Sequence, residues 1–397
     1  MQVGLFEDIG WKGLLPLTRL RPVWHLWWGM DRLANKWKRY FGWEVKGLLT
    51  HRSYLHKVFP PIIPTGETIW INARLLPLHD SLKNWLEDLA PETLYLTDEG
   101  VPIAVRTRQV LVPNEALENL SLSIASPPPE IPLTWLQAVT DLFSLTSRVI
   151  EADWKHLQGS SGPLPSALSV RGKDNIFFHP SARAGAAILS AEDGPLWIGP
   201  EADIQDGAIV QHTNIIGPHT TIQLGARIRT QNSFGPYCKV GGEIGQTTFL
   251  GFSNKSHEGF FGHSVIGEWC NIGAGSNTSN LKNTYGLVRL YDPALGILRE
   301  TGLQFCGLIM GDYARCGIQT PFTTGCVVDI FANVVGTSFT PKYVPPFWWG
   351  EGQYWQLTKA IEAAQRMQKR RGKELSAEEA ELIRTQYEAL VPPPSCP

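Results

Sequence analysis

An apolar residue recurs at every sixth position across residues 198–245, and this repeat limits the possible folds more than any other feature of the chain. The repeating residues are Ile198, Ile204, Val210, Ile216, Ile222, Ile228, Phe234 and Val240. A period of six fits neither an α-helix, which repeats every 3.6 residues, nor one long strand, which repeats every two. It is typical of a solenoid in which each hexapeptide forms a short strand and a turn, and three hexapeptides close one coil. The sequence therefore predicts a parallel β-helix.

The same spacing returns further along the chain. It reappears at Ile266 and Ile272, and then at Met310, Cys316, Phe322, Val328 and Val334. We expect the solenoid to run over residues 176–344, with interruptions at 246–265 and 278–308.

Composition excludes several classes of partner. The chain has 397 residues and a formal net charge of −2, so charge gives no reason to expect nucleic acid or an anionic membrane as a partner. The bulky segment 23–30 is too short to span a bilayer. The six cysteines lack metal-type spacing and several fall at or beside repeat positions, which favours small core side chains in a reducing, cytoplasmic compartment.

The rest of the chain divides around proline- and glycine-rich segments. Residues 1–125 alternate short apolar strands with helical patterns near 24–40 and 81–89, which predicts an α/β domain with a largely parallel sheet. Residues 126–170 hold two linkers and a helix, residues 171–345 the solenoid, and residues 346–397 a tail with one or two amphipathic helices. A helix in this tail is expected to cap the open end of the solenoid.

The segment 249–283 carries a further signal. It contains the motifs SNKSHEGF and GEWCNIGAG, while LLPLTRLRPV precedes it at 14–23 and GLQFCGLIMGD follows within 281–312. In these motifs the chain resembles a bacterial family related to the bifunctional UDP-N-acetylglucosamine pyrophosphorylase and glucosamine-1-phosphate N-acetyltransferase. That resemblance implies a nucleotidyltransferase-like N-terminal domain, a left-handed β-helix with hexapeptide repeats, a homotrimer, and use of acetyl-CoA or another acyl-CoA.

The resemblance also implies site residues. His257 matches the catalytic histidine, and a neutral imidazole with a pKa near 6.5 suits the removal of a proton from an attacking amine. Asn271 and Asn280 match two asparagines of the family's substrate site, and Lys255 is a candidate cation for a sugar phosphate. Each residue also has a purely structural interpretation. His257 would be a histidine in a surface loop, and Asn271 part of an asparagine ladder inside the coil. Asn280 would be a turn asparagine and Lys255 a solvated lysine.

Several positions depart from the family pattern. Phe260 and Leu281 stand where the family has tyrosines, and only Lys239 remains from the arginine-rich segment that binds phosphate. An insertion at 283–304 follows Lys282, a further candidate for substrate binding. We therefore expect an acyl acceptor other than glucosamine-1-phosphate.

The N-terminal domain departs from its family in a similar way. Residues 14–22 keep the second half of the triphosphate loop, but the glycine pair is missing, and the family's metal-binding aspartate is replaced within residues 71–74. Without carboxylates a Mg²⁺–triphosphate site is hard to build, so we expect no nucleotidyl transfer there. Four residues could still hold a phosphate: Lys12, Thr18, Arg19 and Arg21. The alternative is a basic cluster that faces solvent.

Three functions are consistent with these observations. The first is an acyltransferase acting on a sugar phosphate or nucleotide sugar, with His257 as base, Asn271 beside it, and backbone N–H groups facing the oxyanion. The second is a nucleotide-sugar binding or regulatory protein without catalysis, and the third a nucleotidyltransferase with an altered metal site. No set of His, Cys and carboxylate residues has the spacing of metal ligands.

Overall fold

The computed structural model describes residues 2–111, 121–336, 339–350 and 352–393. It contains two compact units. The first comprises Met1–Leu14, Leu20–Leu26 and Asp31–Gln137, and the second comprises Leu15–Arg19, Trp27–Met30 and Ala138–Pro397. No helix among the described residues has the length and apolar character needed to cross a membrane.

The first unit is built on a six-stranded sheet. Its strands, labelled β1 to β6 in chain order, are Gln2–Phe6, Val45–Leu49, Thr68–Asn72, Thr93–Leu96, Pro102–Thr107 and Ser123–Ala125. Their order in the sheet is β2-β1-β3-β5-β4-β6. Strand β1 pairs in parallel with β2 and β3, and β4 with β6, whereas β5 is antiparallel to both β3 and β4. The sheet is therefore mixed: three of its five pairings are parallel, as expected, and two are antiparallel, since the short turn that joins β4 to β5 forces an antiparallel pair.

Helices flank this sheet. Helix α1, Leu33–Phe41, ends at Gly42, whose φ of 75° is a left-handed conformation that glycine adopts without strain. The helix predicted from residue 24 onward begins later, because Val23–His25 is a 3₁₀ turn and Trp27–Trp28 is extended. Helix α2, Asp80–Glu87, confirms the second predicted helix. The remaining short elements of this region are Ile9–Leu14, Asp31–Arg32, Ser53–Leu55, Leu75–Leu76 and Thr134–Trp135.

The second unit confirms the predicted left-handed parallel β-helix, which has three faces. Face 1 contains Ile176–Phe178, Leu196–Ile198, Asn214–Ile216, Asn232–Phe234, Leu308–Met310, Cys326–Val328, Tyr343–Val344 and the second halves of Glu243–Gly251 and Phe260–Glu268. Face 2 contains Arg183–Ala184, Asp203–Ile204, Thr221–Ile222, Lys239–Val240, Asn254–Lys255, Asn271–Ile272, Arg315–Cys316 and Asn333–Val334. Face 3 contains Ser169–Arg171, Ile188–Ser190, Ile209–Gln211, Arg227–Ile228 and the first halves of the two long strands. A separate parallel pair joins Asn277–Thr278 to Pro321–Phe322.

The hexapeptide residues form the core, as predicted. Every residue of the repeat from Ile198 to Val240 is at most 1% exposed. The interruption expected at 246–265 is wrong, because Glu243–Gly251 and Phe260–Glu268 continue the ladder in register. The coils there are slightly shorter than the preceding ones, so the count by six fails while the hydrogen bonding continues. Five cysteines are free and buried among the described residues, and Cys396 lies outside them.

Aromatic rings stack along one corner of the solenoid. The ladder is His219, Tyr237, Phe252, Trp269, Tyr313, Phe331 and Phe347, and the centroids of neighbouring rings lie 4.3 to 6.2 Å apart. All seven residues have positive φ. A left-handed conformation is unfavourable for bulky side chains, so we infer that stacking and burial compensate for the backbone strain.

Helices lie before and after the solenoid. Helices α3, Asp141–Ser144, and α4, Thr146–Lys155, precede it, with the 3₁₀ turn Lys173–Asn175 at its start. The tail forms the hairpin Trp348–Gly350 with Gln353–Tyr354, then α5, Leu357–Lys369, and α6, Ala377–Leu390. Helix α5 contacts face 2, where Met367 meets Arg315, and Gln368 donates to the hydroxyl of Tyr313 in the aromatic ladder at 2.9 Å. The predicted capping helix thus packs along the side of the solenoid.

The predicted insertion forms an antiparallel hairpin, Arg289–Asp292 with Ile297–Glu300. It leaves the coil after Asn277–Thr278 and returns before Leu308–Met310, so the solenoid is interrupted in sequence but continuous in space.

Candidate functional site

A row of polar side chains points outward from face 2. Lys239, Asn254, Asn271 and Arg315 occupy the same position on four successive strands. Each lies one residue before a side chain that points inward, since alternate residues of a strand face opposite sides. Successive strands of a sheet are about 4.8 Å apart, so these four side chains line a continuous surface.

His257 lies in a cavity at this row. The cavity measures about 340 Å³. Its lining residues are Lys239, Asn254, Ser256, His257, Asn271, Ile272, Gly273, Ala274, Ile318 and Arg370. His257 is exposed, so its imidazole is accessible from solvent. The structure thus brings together three of the predicted residues: Lys239, His257 and Asn271.

The turn that carries His257 is fixed by the two residues that follow it, Glu258 and Gly259. The Glu258 carboxylate binds Arg227 at 2.7 Å, and the Glu258 carbonyl accepts from the Gly275 amide at 3.0 Å. Gly259 has a φ of +124°, and a Cβ atom there would lie 1.9 Å from the Ser276 carbonyl oxygen. Only glycine fits that position, which fixes the path of the backbone just after His257.

Lys255 does not occupy the surface. Its side chain points into the solenoid and is 0% exposed, and its ammonium group donates to the carbonyls of Gly241, at 3.3 Å, and His257. Burial lowers the pKa of Lys255 to about 8. Both readings of this lysine, as a phosphate ligand and as a solvated side chain, require an exposed ammonium group, and the structure contradicts both. Through the His257 carbonyl, Lys255 instead supports the turn.

Asn280 and Lys282 are not among the residues that line the His257 cavity. The Asn280 amide lies 2.9 Å from Nδ1 of His263, which stacks on Phe305 with centroids 5.0 Å apart. Burial, with a smaller effect from Arg229, lowers the pKa of His263 to about 4. The Lys282 ammonium group donates to the Leu287 carbonyl in the insertion. Their roles in substrate binding stay predictions without support from this cavity.

A second cavity adjoins the first on face 2. It measures about 450 Å³ and is lined by Lys239, Phe252, Asn254, Trp269, Asn271, Arg315, Met367, Arg370 and Arg371. The Arg371 guanidinium donates to Oδ1 of Asn254 at 2.5 Å. Arg315 lies over the ring of Trp355, 5.5 Å from its centroid.

Sequence reasoning missed the three arginines of this cavity. Arg315 precedes the core residue Cys316 just as Lys239 precedes Val240, so its offset from the repeat could have revealed it. The position of Arg370 and Arg371 depends on how α5 packs on face 2, for which the sequence has no local signal.

The four N-terminal phosphate candidates are differently placed. Lys12 is exposed, whereas Thr18 is fully buried and Arg21 is 5% exposed. Arg19 belongs to the second unit and binds Asp329 through two hydrogen bonds of 2.7 Å. Because its guanidinium already binds a buried carboxylate, Arg19 does not fit the role of a phosphate ligand.

The first unit contains two further ion pairs at the end of β1. Arg52 binds Glu7 at 2.7 Å, and Arg74 binds Asp8 at 2.5 Å, with all four side chains nearly buried. By the resemblance described above, Arg74 takes the place of the metal-binding aspartate. Since the nearby carboxylates are neutralised by arginine, this arrangement does not fit a Mg²⁺ ion. Among the residues that the structure describes, no group of three or more His, Cys, Asp or Glu residues could hold a metal.

Comparisons with known proteins bear mainly on the N-terminal part. Residues 3–161 match the model of a family described as sugar nucleotidyl transferase. The N-terminal domain is nucleotidyltransferase-like. No curated protein matches the chain. Membership of the narrower family named above stays a prediction.

One solved structure that matches is that of the polySia specific acetyltransferase NeuO. It is 13% identical, the match covers 52% of this chain and 99% of that chain, and the TM-score is 0.26. At this level of similarity the match says nothing about chemistry or substrate.

Proposed function

We propose that the solenoid is an acyltransferase that moves an acyl group from acyl-CoA to an amino or hydroxyl group of a sugar phosphate or nucleotide sugar. The observation that supports it best is the cavity that joins the exposed His257 to Lys239 and Asn271. A histidine is suited to take a proton near neutral pH, a lysine to bind a phosphate, and an asparagine to orient an amine or hydroxyl group.

The reaction follows from these roles. The His257 imidazole takes a proton from the acceptor nitrogen or oxygen as that atom attacks the thioester carbonyl. The resulting oxyanion needs N–H donors, and the backbone at Gly273 and Ala274 lines the same cavity. When the carbonyl re-forms, the C–S bond breaks, and the departing thiolate takes the proton from the imidazolium. Atoms and charge balance without a metal or a redox partner.

The first unit is proposed to lack nucleotidyl transfer. Arg74, in the position of the metal-binding aspartate, pairs with Asp8, and Glu7 pairs with Arg52. A Mg²⁺–triphosphate complex would have to displace both arginines from their carboxylates, at a cost of several kcal/mol each. We further propose that the protein assembles as a homotrimer, which analytical ultracentrifugation would test.

The test of the proposed function measures release of free thiol from acetyl-CoA over a panel of amino-sugar phosphates and nucleotide sugars. We expect acceptor-dependent release by the wild type, and a decrease of about 10² to 10⁴ in His257→Ala, because general-base catalysis contributes that much. The control is His212→Ala. His212 lies near Asp193 and is not among the residues lining either cavity, so this variant should retain activity.

The other outcomes separate the alternatives. Absence of thiol release with every acceptor, in a folded protein, would favour the nucleotide-sugar binding or regulatory protein, which the substitutions at Phe260 and Leu281 also favour. Release of pyrophosphate from a nucleoside triphosphate would instead favour the nucleotidyltransferase. Equal activity in His257→Ala and the wild type would rule out His257 as the base.

A further inference from the structure

The second cavity on face 2 has an unusual charge distribution. Four cationic residues line it, Lys239, Arg315, Arg370 and Arg371, and none of its described lining residues is acidic. No described residue forms an ion pair with any of the four. Like charges held together without a counterion repel one another, so the cavity is stabilised when an anion enters it.

Arg315 is the clearest case. Its Nε atom is buried and has no hydrogen-bond partner among the described residues, while one terminal nitrogen contacts the Met367 sulfur. Burial lowers the pKa of Arg315, which reflects the cost of holding the charge away from water. Buried guanidinium groups in proteins are normally paired, so an unpaired one beside a cavity indicates a ligand that supplies the acceptor.

The spacing of the cations indicates more than one phosphate. Lys239 and Arg315 lie on strands separated by Asn254 and Asn271, which places them about 14 Å apart at the backbone. A single phosphate contacts only part of a row of this length, and two linked phosphates, although they do not span it either, offer more oxygen acceptors to the four cations. Arg370 and Arg371, which directly follow helix α5, line the same cavity.

The aromatic lining does not provide a stacking platform. Trp269 is stacked between Phe252 and Tyr313, with centroids 4.3 and 6.2 Å away, so both faces of its ring are already covered. Phosphate contacts, rather than base stacking, are therefore the recognition that this cavity offers, and the identity of the base is left open.

We propose that this cavity binds the diphosphate group of a nucleotide-linked sugar, with Arg315, Arg370 and Arg371 as ligands. Because the two cavities share Lys239, Asn254, Asn271 and Arg370, a diphosphate in the larger one would direct the attached sugar toward His257. The acyl acceptor is then a nucleotide sugar and not a sugar monophosphate. This inference rests on the proposed function for its catalytic meaning, but binding can be measured without turnover.

The experiment is isothermal titration calorimetry of the full chain with four probes: UDP-N-acetylglucosamine, UMP, inorganic phosphate and coenzyme A. We expect the diphosphate sugar to bind at least about tenfold more tightly than UMP. Arg315→Gln and Arg371→Gln should each bind the diphosphate sugar about ten- to a hundredfold more weakly, because each loses a charge-assisted hydrogen bond. Arg370→Gln provides a variant at an exposed position where folding is not at risk.

Arg183→Gln is the matched control. Arg183 occupies the same outward row of face 2, but it lies near the start of the solenoid, 3.9 Å from Asp203, and outside both cavities. The affinity of the Arg183→Gln variant for the diphosphate sugar should equal that of the wild type. Melting temperatures of all variants report whether each one is folded.

Three other results would overturn the inference. Equal binding of UMP and the diphosphate sugar would mean that one phosphate suffices. Binding of coenzyme A alone would assign the cavity to the acyl donor, and no binding at all would leave the cations without a ligand of this class. Diphosphate binding with no thiol release would instead support this site while contradicting the acyltransferase.

Discussion

The arginines of the first unit and the arginines of face 2 are arranged in opposite ways. In the first unit Arg52 and Arg74 are nearly buried and each binds a carboxylate. On face 2 Arg315 and Arg371 have no ion-pair partner among the described residues and line a cavity. The difference teaches that a basic residue in a family motif is informative only once its partner is known. A paired arginine completes the fold, whereas an unpaired one beside a cavity can bind an anion.

The largest expected effect comes from breaking a pair in the first unit. Glu7→Gln would remove the carboxylate that pairs with the buried Arg52 guanidinium, and breaking a buried ion pair typically costs about 3–5 kcal/mol. We expect the free energy of unfolding of the first unit to fall by that amount in urea denaturation followed by circular dichroism. Anion binding on face 2 should not change.

The matched control for Glu7→Gln is Glu44→Gln. Glu44 pairs with Lys38 at 3.2 Å, but both side chains are about two-thirds exposed, at 65% and 69%. Exposed pairs contribute about 1 kcal/mol or less. If the two variants lost the same stability, the buried pair would have no special structural role.

The repeat explains why most of the solenoid was predictable. One inward residue per hexapeptide leaves a pattern that survives in Ile198 to Val240, and burial of every one of these positions confirms it. Lys255 was misplaced because the coil between Val240 and Lys255 is shorter than a full turn of three hexapeptides, so counting by six passes over it. The paired state of Arg19 was equally hidden, since Asp329 is more than three hundred residues away in sequence.

The candidate site was predictable only in part. Lys239, His257 and Asn271 come from short motifs on neighbouring coils, and parallel stacking brings such motifs together. Asn280 lies on the same stretch of chain, but its side chain pairs with His263 instead. Arg370 and Arg371 reach the site through the packing of α5, which no local pattern in the sequence encodes.

A smaller effect on stability is expected from the titration of Lys255, which differs from Lys239 on the adjacent strand of face 2. Lys255 points inward with a pKa lowered to about 8 from an ordinary value of 10.5, whereas Lys239 points outward. At a pH between the folded and unfolded pKa values of Lys255, this side chain holds its proton in the unfolded chain but has released it in the folded chain. Stability of the wild type therefore rises as the pH increases from 8 to 10, by about 1–3 kcal/mol from this group.

Lys255→Met removes the titrating group and tests this difference. The free energy of unfolding of the wild type minus that of the variant should increase by about 1–3 kcal/mol between pH 8 and pH 10. Lys239→Met, the same change on an exposed side chain, should leave the pH dependence as in the wild type. Parallel pH curves for the wild type and Lys255→Met would contradict the burial of a titrating ammonium group.

The smallest expected effect comes from giving face 2 the kind of partner that the first unit already has. Asn254→Asp would place a carboxylate against the Arg371 guanidinium, in the position of the 2.5 Å hydrogen bond. The added charge repels a bound diphosphate several ångströms away. At an effective dielectric constant near 20 and after screening by salt, this repulsion amounts to about 1 kcal/mol. The affinity should therefore be about fivefold weaker. Gln211→Glu, the same change at an exposed position of face 3, should leave the affinity unchanged. If Asn254→Asp bound the diphosphate sugar as tightly as the wild type, the unpaired cations of face 2 would not be the groups that hold it.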